Sequence, residues 1–575
     1  MKRTHTCGQL QIANVGQEVV LQGWVNKIRK MGALTFVDLR DRYGITQLVL
    51  SDAVQNEDIK PEYVIEITGK VIERKSKNAN IATGAIEIEV QHLTVINKAD
   101  LTPFEIKDDI TAQEDTRLKY RYLDLRRPVM QNNLITRSKV NNIMRNYFND
   151  HDFIEIETPV FAKSTPEGAR DFLVPSRLNE NKFYALPQSP QLFKQLFMIA
   201  GLDRYFQIVK CFRDEDLRID RQPEFTQLDL EMSFATQEDV IEMIEGLMAQ
   251  ILKKIKGIDL ALPLQRIDYT KAIEMYGSDK PDLRFELVIQ TLNEQFKQTE
   301  IPFFKTAIDN GDAVRGIFVP KVLTKKDLEA LTETAKQNRV NILAFAKWSQ
   351  NEWSGSIASK LNDAEKATLL KTFAVKAEGT FLFVADKYAL ASQAMGAIRN
   401  HAAKLADLID EQQFKLLWVV KFPLFEWSEE EERFVAAHHP FTMPTSDCLA
   451  SFDTDKASAF ANAYDIVMNG FEIGGGSQRI TDPEIQERMF QAVEMPQDVI
   501  ERNFGWFIKA YNYGAPYHSG CALGIDRICM LLSHAENIRE VIAFPKNSSG
   551  VDPMSNAPDF VDAKQLAELN IQHKK

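Results

Sequence analysis

The sequence predicts a multidomain α+β protein with a small N-terminal β-barrel and a module inserted into a larger body. Three observations predict it. The chain has 575 residues and 44% apolar content, more than one hydrophobic core normally organises. Between about Gly16 and Asn97, apolar and polar residues alternate in five runs: Val19 to Val25, Leu34 to Leu39, Ile45 to Leu50, Tyr63 to Ile72 and Ala85 to Val95. Such period-two patterning marks strands, and five short strands suit a closed barrel of the oligonucleotide-binding type, the OB-fold. Beyond it, chemistry-bearing residues fall in two blocks. The stretch between them, Leu287 to about Gln413, keeps helical and strand patterns but carries no site motif.

Composition narrows the function classes. A net charge of −12 does not exclude nucleic acid, because phosphate attraction depends on local patches. Two basic clusters exist: Lys27, Arg29 and Lys30 in the barrel, and Arg117, Lys119, Arg121, Arg126 and Arg127 after it. Either cluster alone reads equally well as solvated charge. The five cysteines, Cys7, Cys211, Cys448, Cys521 and Cys529, show no Cys-x-x-Cys spacing, which disfavours a structural zinc site or a disulfide framework. The start, Met1 to Thr6, lacks an apolar signal core, and no apolar run is long enough to span a bilayer. A cytoplasmic protein with no membrane partner is therefore expected.

The elements follow in order. Leu101 to Pro128 is charged and patternless, and reads as a hinge. Asn132 to Phe148 repeats Leu134, Ile135, Val140, Ile143, Met144, Tyr147 and Phe148 at helical spacing and breaks at Asn149 to Asp152, before a strand ending at Pro159. Thr165 to Asp171 is a turn-rich, charged loop. Ser189-Pro190 reads as a helix start, with serine capping and proline in the first turn. Gln191 and Lys194 then share one face at i, i+3 spacing. Phe212-Arg213-Asp214-Glu215-Asp216, followed by Gln222-Pro223-Glu224-Phe225-Thr226-Gln227-Leu228-Asp229, sets an arginine suited to polyphosphate beside an aromatic platform for a purine. Far downstream, Gly524-Ile525-Asp526-Arg527 supplies a second arginine. Two guanidiniums can clamp opposite ends of one triphosphate. Neither glycine phosphate-loop pattern accompanies them. Gly474-Gly475-Gly476 offers close approach of a ligand to backbone, with Arg479 beside it.

These motifs, with Phe153-Ile154-Glu155-Ile156-Glu157-Thr158-Pro159, Gln188 to Gln195, His438-His439-Pro440-Phe441 and Gly470 to Arg479, resemble the class II aminoacyl-tRNA synthetases over nearly the whole chain. The bacterial-type aspartyl-tRNA synthetases are the family they resemble most. The resemblance implies a class II synthetase antiparallel-sheet catalytic core and six segments. These are an OB-fold anticodon-binding domain at 1–105, a hinge at 106–130, core at 131–286, an inserted α+β domain at 287–413, core again at 414–555, and a C-terminal extension at 556–575. It also implies activation of L-aspartate by ATP to aspartyl-adenylate, then transfer to the 3′ end of tRNA(Asp), in a homodimer whose interface uses the 132–159 helix and strand. The apolar stripe of that helix could by itself equally be interior packing.

Carried over residue by residue, the resemblance names Arg213 and Arg527 as catalytic. It assigns aspartate to Glu167, Ser189, Gln191, Lys194, Arg213, Asp229, His438 and Arg479, with Glu167 on a mobile lid. ATP falls to Arg213, Asp214, Glu215, Gln222, Phe225, Glu472, Gly524, Ile525, Asp526 and Arg527, and the anticodon to Arg29, Phe36 and Gln47. Phe36 taken alone would more often be a core residue. Mg²⁺ falls to Asp465 and Glu472, whose hard oxygens suit it although their spacing diagnoses no metal. Two cations, Lys194 and Arg479, meeting in one pocket favour a substrate with a side-chain carboxylate. Asparagine would leave both uncompensated.

Three alternatives remain open. A non-discriminating enzyme would also charge tRNA(Asn); Met31 and the Ala82-Thr83-Gly84 turn are where it would differ, and the apolar Met31 favours the aspartate-specific form. A non-enzymatic RNA-binding paralogue would have lost the ATP residues, which are all present. An ammonia-using asparagine synthetase would lack the barrel.

Overall fold

The five period-two runs become five strands, β1 (Glu18–Met31), β2 (Leu34–Asp41), β3 (Gly44–Ser51), β4 (Val64–Glu73) and β5 (Ile86–Asn97), closed in the order β1-β2-β3-β5-β4. Alternate residues fill the barrel: Val37 and Leu39 on β2, Leu48 and Leu50 on β3, Ile65 and Ile67 on β4, and Ile86 and Ile88 on β5 are buried. Their neighbours along each strand turn outward, which puts Phe36, Asp38 and Gln47 on the outer face. The computed structural model describes residues 2–51, 54, 58–165 and 169–572. The chain divides into two compact units, residues 1–135 with 539–560, and residues 136–538 with 561–575.

The segment expected to be a basic hinge is instead an ion-paired knot within the first unit. Asp124, fully buried, lies 3.0 Å from Arg117 Nε, 2.7 Å from Arg121 Nη1 and 2.7 Å from Arg127 Nη1. Burial resists ionisation of Asp124, but the arginines outweigh it and hold the carboxyl below its usual range. Arg121 also donates to the carbonyls of Ala543 (2.9 Å) and Ile542 (2.8 Å). Arg126 pairs with Glu62 at 2.8 Å and lies over Trp24. Arg117, Arg121, Arg126 and Arg127 are thus spent on the protein itself. They also draw 539–555, read from sequence as core, into the first unit.

The second unit is built on an eight-stranded sheet. Its order is Gln265–Asp268, Leu416–Val420, Ala463–Met468, Phe471–Gln478, His518–Gly524, Glu224–Ser233, Arg204–Phe212 and Ile154–Glu155. Neighbours run antiparallel except the outermost pair at each edge. The helix Gln237–Lys256 packs on this sheet. A Thr236–Asp239 capping box starts it and Gly257, at φ +73°, ends it. Val240, Ile241, Ile244, Leu247, Met248, Ile251 and Leu252 recur at helical spacing along its buried stripe. Residues 287–413 form a separate five-stranded sheet, ordered Gln290–Thr291, Ala313–Val319, Gly379–Asp386, Ala344–Ser349 and Glu352–Ser354. Its own core sets Ile317, Val319, Leu382 and Val384 against Ile398 and Ala402 of the helix Tyr388–Leu405. Among the described residues no helix is long and apolar enough to cross a membrane.

Candidate active site

One cross-strand row of the large sheet forms the floor of the site. Asp465 pairs with Gly475, Gly475 with Ala522, Ala522 with Asp229, and Asp229 with Gln207. Directly opposed residues share a face of the sheet, so Asp229 and Asp465 project on one side with only a glycine and an alanine between them. Three strand spacings, about 14 Å, separate the two acids. Two residues along, Glu231 stands beside Gly520, which pairs in turn with Ser477. The glycines are required by contact: a Cβ on Gly520 would lie 1.8 Å from Glu231 Oε2, and one on Gly475 2.1 Å from Asp465 Oδ1. By strict alternation Glu472 would face away from Gly475. The register shifts between Ile466 and Val467, however, so that Val467 pairs with Glu472, and this bulge turns Glu472 to the side of Asp465.

That geometry sets an expected outcome. Gly475→Ala should push the Asp465 carboxylate aside while the strand survives, because the clashing atom is the end of a side chain. On the role the resemblance gives Asp465, the KM for ATP should rise about tenfold, equivalent to about 1.4 kcal/mol, with the KM for the amino acid near parental. Exchange kinetics with each substrate varied in turn, beside a thermal melt, check it.

The Asp229 end of the row is a buried four-charge cluster. Lys194 Nζ lies 2.6 Å from Asp229 Oδ1 and 3.4 Å from Glu231 Oε2. Arg479 donates to Glu231 through Nε (2.9 Å) and Nη2 (3.1 Å). The two cations from distant parts of the chain therefore do meet, but they meet on carboxylates of the protein. Asp229 and Glu231 balance Lys194 and Arg479, which corrects the expectation that asparagine would leave both cations uncompensated. Burial opposes ionisation of Glu231, but Arg479 and Lys194 outweigh it and its carboxyl sits below the usual range. At Asp229 burial prevails over Lys194 and pushes the carboxyl up.

Three buried polar atoms beside this cluster have no protein partner: Asp229 Oδ2, Gln191 Nε2 and His438 Nδ1. Unsatisfied buried groups are costly, and an acceptor and a donor left over beside one cluster are what a polar ligand satisfies. The helix Gln191–Ile199 presents Gln191 and Lys194. Its N-cap is Pro190, and Ser189 Oγ accepts the Gln191 N–H at 3.3 Å, so Ser189, the expected cap, lies one position before the observed one. Arg479 Nη1 donates to His439 Nε2 at 2.9 Å. Burial and then Arg479 hold the His439 imidazole well below its usual pKa, which keeps it neutral and able to accept that bond. His438 packs edge-on against Phe422. Glu167 lies outside the described residues.

Outside this cluster, the strands Arg204–Phe212 and Glu224–Ser233 are joined by the loop 213–223. Arg213 lies over the Phe225 ring, 5.1 Å from its centroid, and its Nε donates weakly to Gln188 O at 3.4 Å. Arg527 reaches the same side, 3.1 Å from Asp220 Oδ2, and donates to Glu472 O at 2.7 Å. Glu215 pairs with Arg221 at 3.1 Å, Gln222 is buried, and Asp214 makes an exposed pair with Arg170. The 524–527 motif divides its labour. Ile525 is in the core, and Asp526 is taken up by Arg137 and by the Thr226 amide at 2.8 Å. The side chains of these two are thus taken up by the protein, so any contact they make with a nucleotide would be through backbone. Gly524, at the N-cap, starts the helix Ile525–Leu532. Burial, then Glu472, then Asp279 push the Asp465 carboxyl well above its ordinary value.

On the barrel's outer face Phe36 is half-buried and pairs in register with Arg29. Arg29 Nη2 lies 2.8 Å from Asp38 Oδ1 and 3.0 Å from Gln47 Oε1, and Gln47 Nε2 donates to Glu87 at 2.6 Å. Phe36 is therefore not the core residue its type alone suggests.

The description "tRNA synthetases class II (D, K and N)" matches residues 113–548, and an OB-fold nucleic acid binding domain matches 19–96. The chain belongs to the class II tRNA synthetases. The synthetase is 61% identical to the aspartate–tRNA ligase of Mycoplasma mycoides subsp. mycoides SC and 58% identical to that of Mesoplasma florum, each alignment covering 100% of both chains. In fold it is similar to a putative aspartyl-tRNA synthetase from Leishmania major (TM-score 0.59, 20% identity, covering 95% of this chain and 94% of that one). A second structural relative is the asparaginyl-tRNA synthetase of Pyrococcus horikoshii complexed with asparaginyl-adenylate (TM-score 0.57, 20% identity, 95% and 98%).

One residue at the synthetase's candidate site lies outside its motifs. Glu231 follows Asp229 by two in Leu228-Asp229-Leu230-Glu231, so strand alternation with buried leucines was the available signal. His439, the histidine that touches Arg479, cannot be told from its neighbour by pattern.

Proposed function

We infer that this chain is an aspartate–tRNA ligase, which activates L-aspartate with ATP and passes it to tRNA(Asp). Full-length relatives at 58–61% identity carry that name. The single structural observation that carries the reading is the convergence of Lys194, Arg479, Asp229 and Glu231, with unsatisfied Gln191 and Asp229 atoms beside them. In this reading Asp229 Oδ2 receives the α-ammonium, with Ser189 and Gln191 alongside. Lys194 and Arg479 receive the β-carboxylate, with His438 alongside and neutral His439 accepting from Arg479 to orient it. Aspartate selection then rests on geometry: each cation already shares a carboxylate, and the ligand carboxylate completes donors that an amide's NH₂ would oppose.

Arg213 bridges the α-phosphate and the attacking α-carboxylate, Phe225 stacks adenine, and Arg527 meets the far phosphates. Attack on the α-phosphorus expels pyrophosphate, and the work is alignment and charge stabilisation. The 3′-terminal hydroxyl of tRNA then attacks the adenylate carbonyl, releasing AMP. The Asp465–Glu472 pair fits Mg²⁺, since two carboxylates on one face with Asp465 driven toward protonation is a donor set that a hard cation relieves. Among the described residues no group of three or more metal-type side chains gathers, so phosphate and water oxygens would complete the shell. When bound, the ion would neutralise charge on the leaving pyrophosphate.

Arg29, Phe36 and Gln47 are proposed to read the anticodon by stacking and hydrogen bonding. Phe36→Ala should lower charging of tRNA(Asp) by about 1–3 kcal/mol, the worth of one stacked base, and leave ATP–pyrophosphate exchange untouched. Charging tRNA(Asp) and tRNA(Asn) transcripts side by side with labelled aspartate checks this and the function together. Met31 is exposed at the β1–β2 turn, and charging of tRNA(Asp) alone is expected. A homodimer through the edge strand Ile154–Glu155 is supported by exposed Ile154, Val160 and Phe161. Work on ATP and tRNA fits the cytoplasm.

A further inference from the structure

The insertion module carries no site motif, yet it grips one loop of the catalytic body with unusual investment. The helix Tyr388–Leu405 touches residues 276–287 backbone to backbone: a Cβ on Gly277 would lie 2.1 Å from Ser392 O, and one on Gly396 2.5 Å from Gly277 O. Arg399 of that helix is 1% exposed. It makes no ion pair among the described residues and donates instead to three carbonyls of the loop. Nε reaches Leu287 O at 2.5 Å, and Nη2 reaches Asp282 O at 2.9 Å and Phe285 O at 3.1 Å. Its guanidinium also lies 4.1 Å from the Phe285 ring centroid and 4.9 Å from that of Tyr276. Burying a guanidinium without a carboxylate is costly, so the loop's conformation is what that cost secures. A second buried arginine, Arg315, holds the helix Tyr269–Tyr276 that leads into the loop. It donates to the Ile273 and Glu274 carbonyls and, at 2.6 Å, to Thr291 Oγ1.

The far side of the loop meets the nucleotide end of the site. Gly470, at φ +84°, is the tip of the 463–478 hairpin that carries Asp465 and Glu472, and a Cβ added there would sit 3.1 Å from Asp282 Cβ. Asp282 is fixed from both sides: Arg284 Nη2 lies 2.8 Å from its carboxylate while Arg399 holds its carbonyl.

We propose that Arg399 is a positioning residue for adenylate formation: through the loop 276–287 the insertion module sets the 463–478 hairpin, and with it the edge of the ATP site. The proposal rests on the reading that this hairpin faces ATP. The test uses full-length protein in aspartate-dependent ATP–pyrophosphate exchange, with ATP and aspartate varied separately, for Arg399→Met, Arg399→Lys and Glu472→Ala, each checked by circular dichroism. Arg399→Met should raise the KM for ATP about tenfold and leave that for aspartate within about twofold. Arg399→Lys, whose ammonium can still donate to the loop carbonyls, should recover most of it, remaining about threefold above the parent. A folded Arg399→Met protein with parental KM for ATP, or with both KM values raised alike, overturns the proposal. If Arg399→Met does not fold, a parental KM for ATP in Arg399→Lys overturns it instead. A parental KM for ATP in Glu472→Ala would overturn the ATP-facing reading and the proposal with it. Loss in Glu472→Ala beside a parental Arg399→Met would overturn the proposal alone.

Discussion

Aspartate-dependent ATP–pyrophosphate exchange should fall about a thousandfold in Arg479→Ala, with most of the loss in the KM for aspartate. Arg479 is 3% exposed and holds Glu231 through two parallel N–H donors. Its removal leaves Glu231 buried with Lys194 alone at 3.4 Å. It also deletes a cation proposed to hold the β-carboxylate. Breaking one side of a buried pair costs about 3–5 kcal/mol, and about 4 kcal/mol in transition-state binding corresponds to about a thousandfold in rate. The KM for ATP should respond little, since the Arg479 guanidinium is engaged by Glu231, Ser477 and His439. Exchange kinetics at saturating ATP, with aspartate varied, measure this. A KM for aspartate near parental in a folded Arg479→Ala protein would count against the pocket.

The second large effect is on stability. Glu231→Ala should destabilise the second unit by about 3–5 kcal/mol, although Glu231 belongs to none of the motifs that identify the site. The change leaves Lys194 and Arg479 buried with one carboxylate, Asp229, between them, and opens a gap over Gly520. Glu231→Gln should recover part of the loss, because its amide oxygen still accepts from Arg479. Glu215→Ala, which breaks the part-exposed pair with Arg221, should cost under about 1 kcal/mol. Urea unfolding followed by circular dichroism compares the three. A Glu231→Ala midpoint no lower than that of Glu215→Ala would show that the cluster carries no structural load.

The contrast between Glu231 and Glu472 shows where the sequence was legible. Strand periodicity found the barrel, because alternation is a local property and each β2 to β5 run buries every second residue. The same rule reaches Glu231 from Asp229. It fails at Glu472, where a bulge at Ile466–Val467 reverses the parity of the strand. Charge counting failed at Arg117, Arg121 and Arg127 for another reason: composition records five basic residues but not the single buried Asp124 that gathers three of them. In Gly524-Ile525-Asp526-Arg527 the motif marked the right place and blurred the roles, since only the fold shows Asp526 engaged by Arg137 and the Thr226 amide. The meeting of Lys194 with Arg479 depends on strand order across the sheet, which no local pattern contains.

The central claim is that the buried cluster selects a dicarboxylic amino acid for activation by ATP. The most direct measurement is the amino-acid dependence of ATP–pyrophosphate exchange by the intact protein, with aspartate, asparagine and lysine supplied in turn at equal concentration. The account predicts exchange with aspartate and less than about a hundredth of that rate with either of the others, in line with rejection by groups left unpaired. Comparable exchange with asparagine or lysine, or none with aspartate from folded protein, would contradict it.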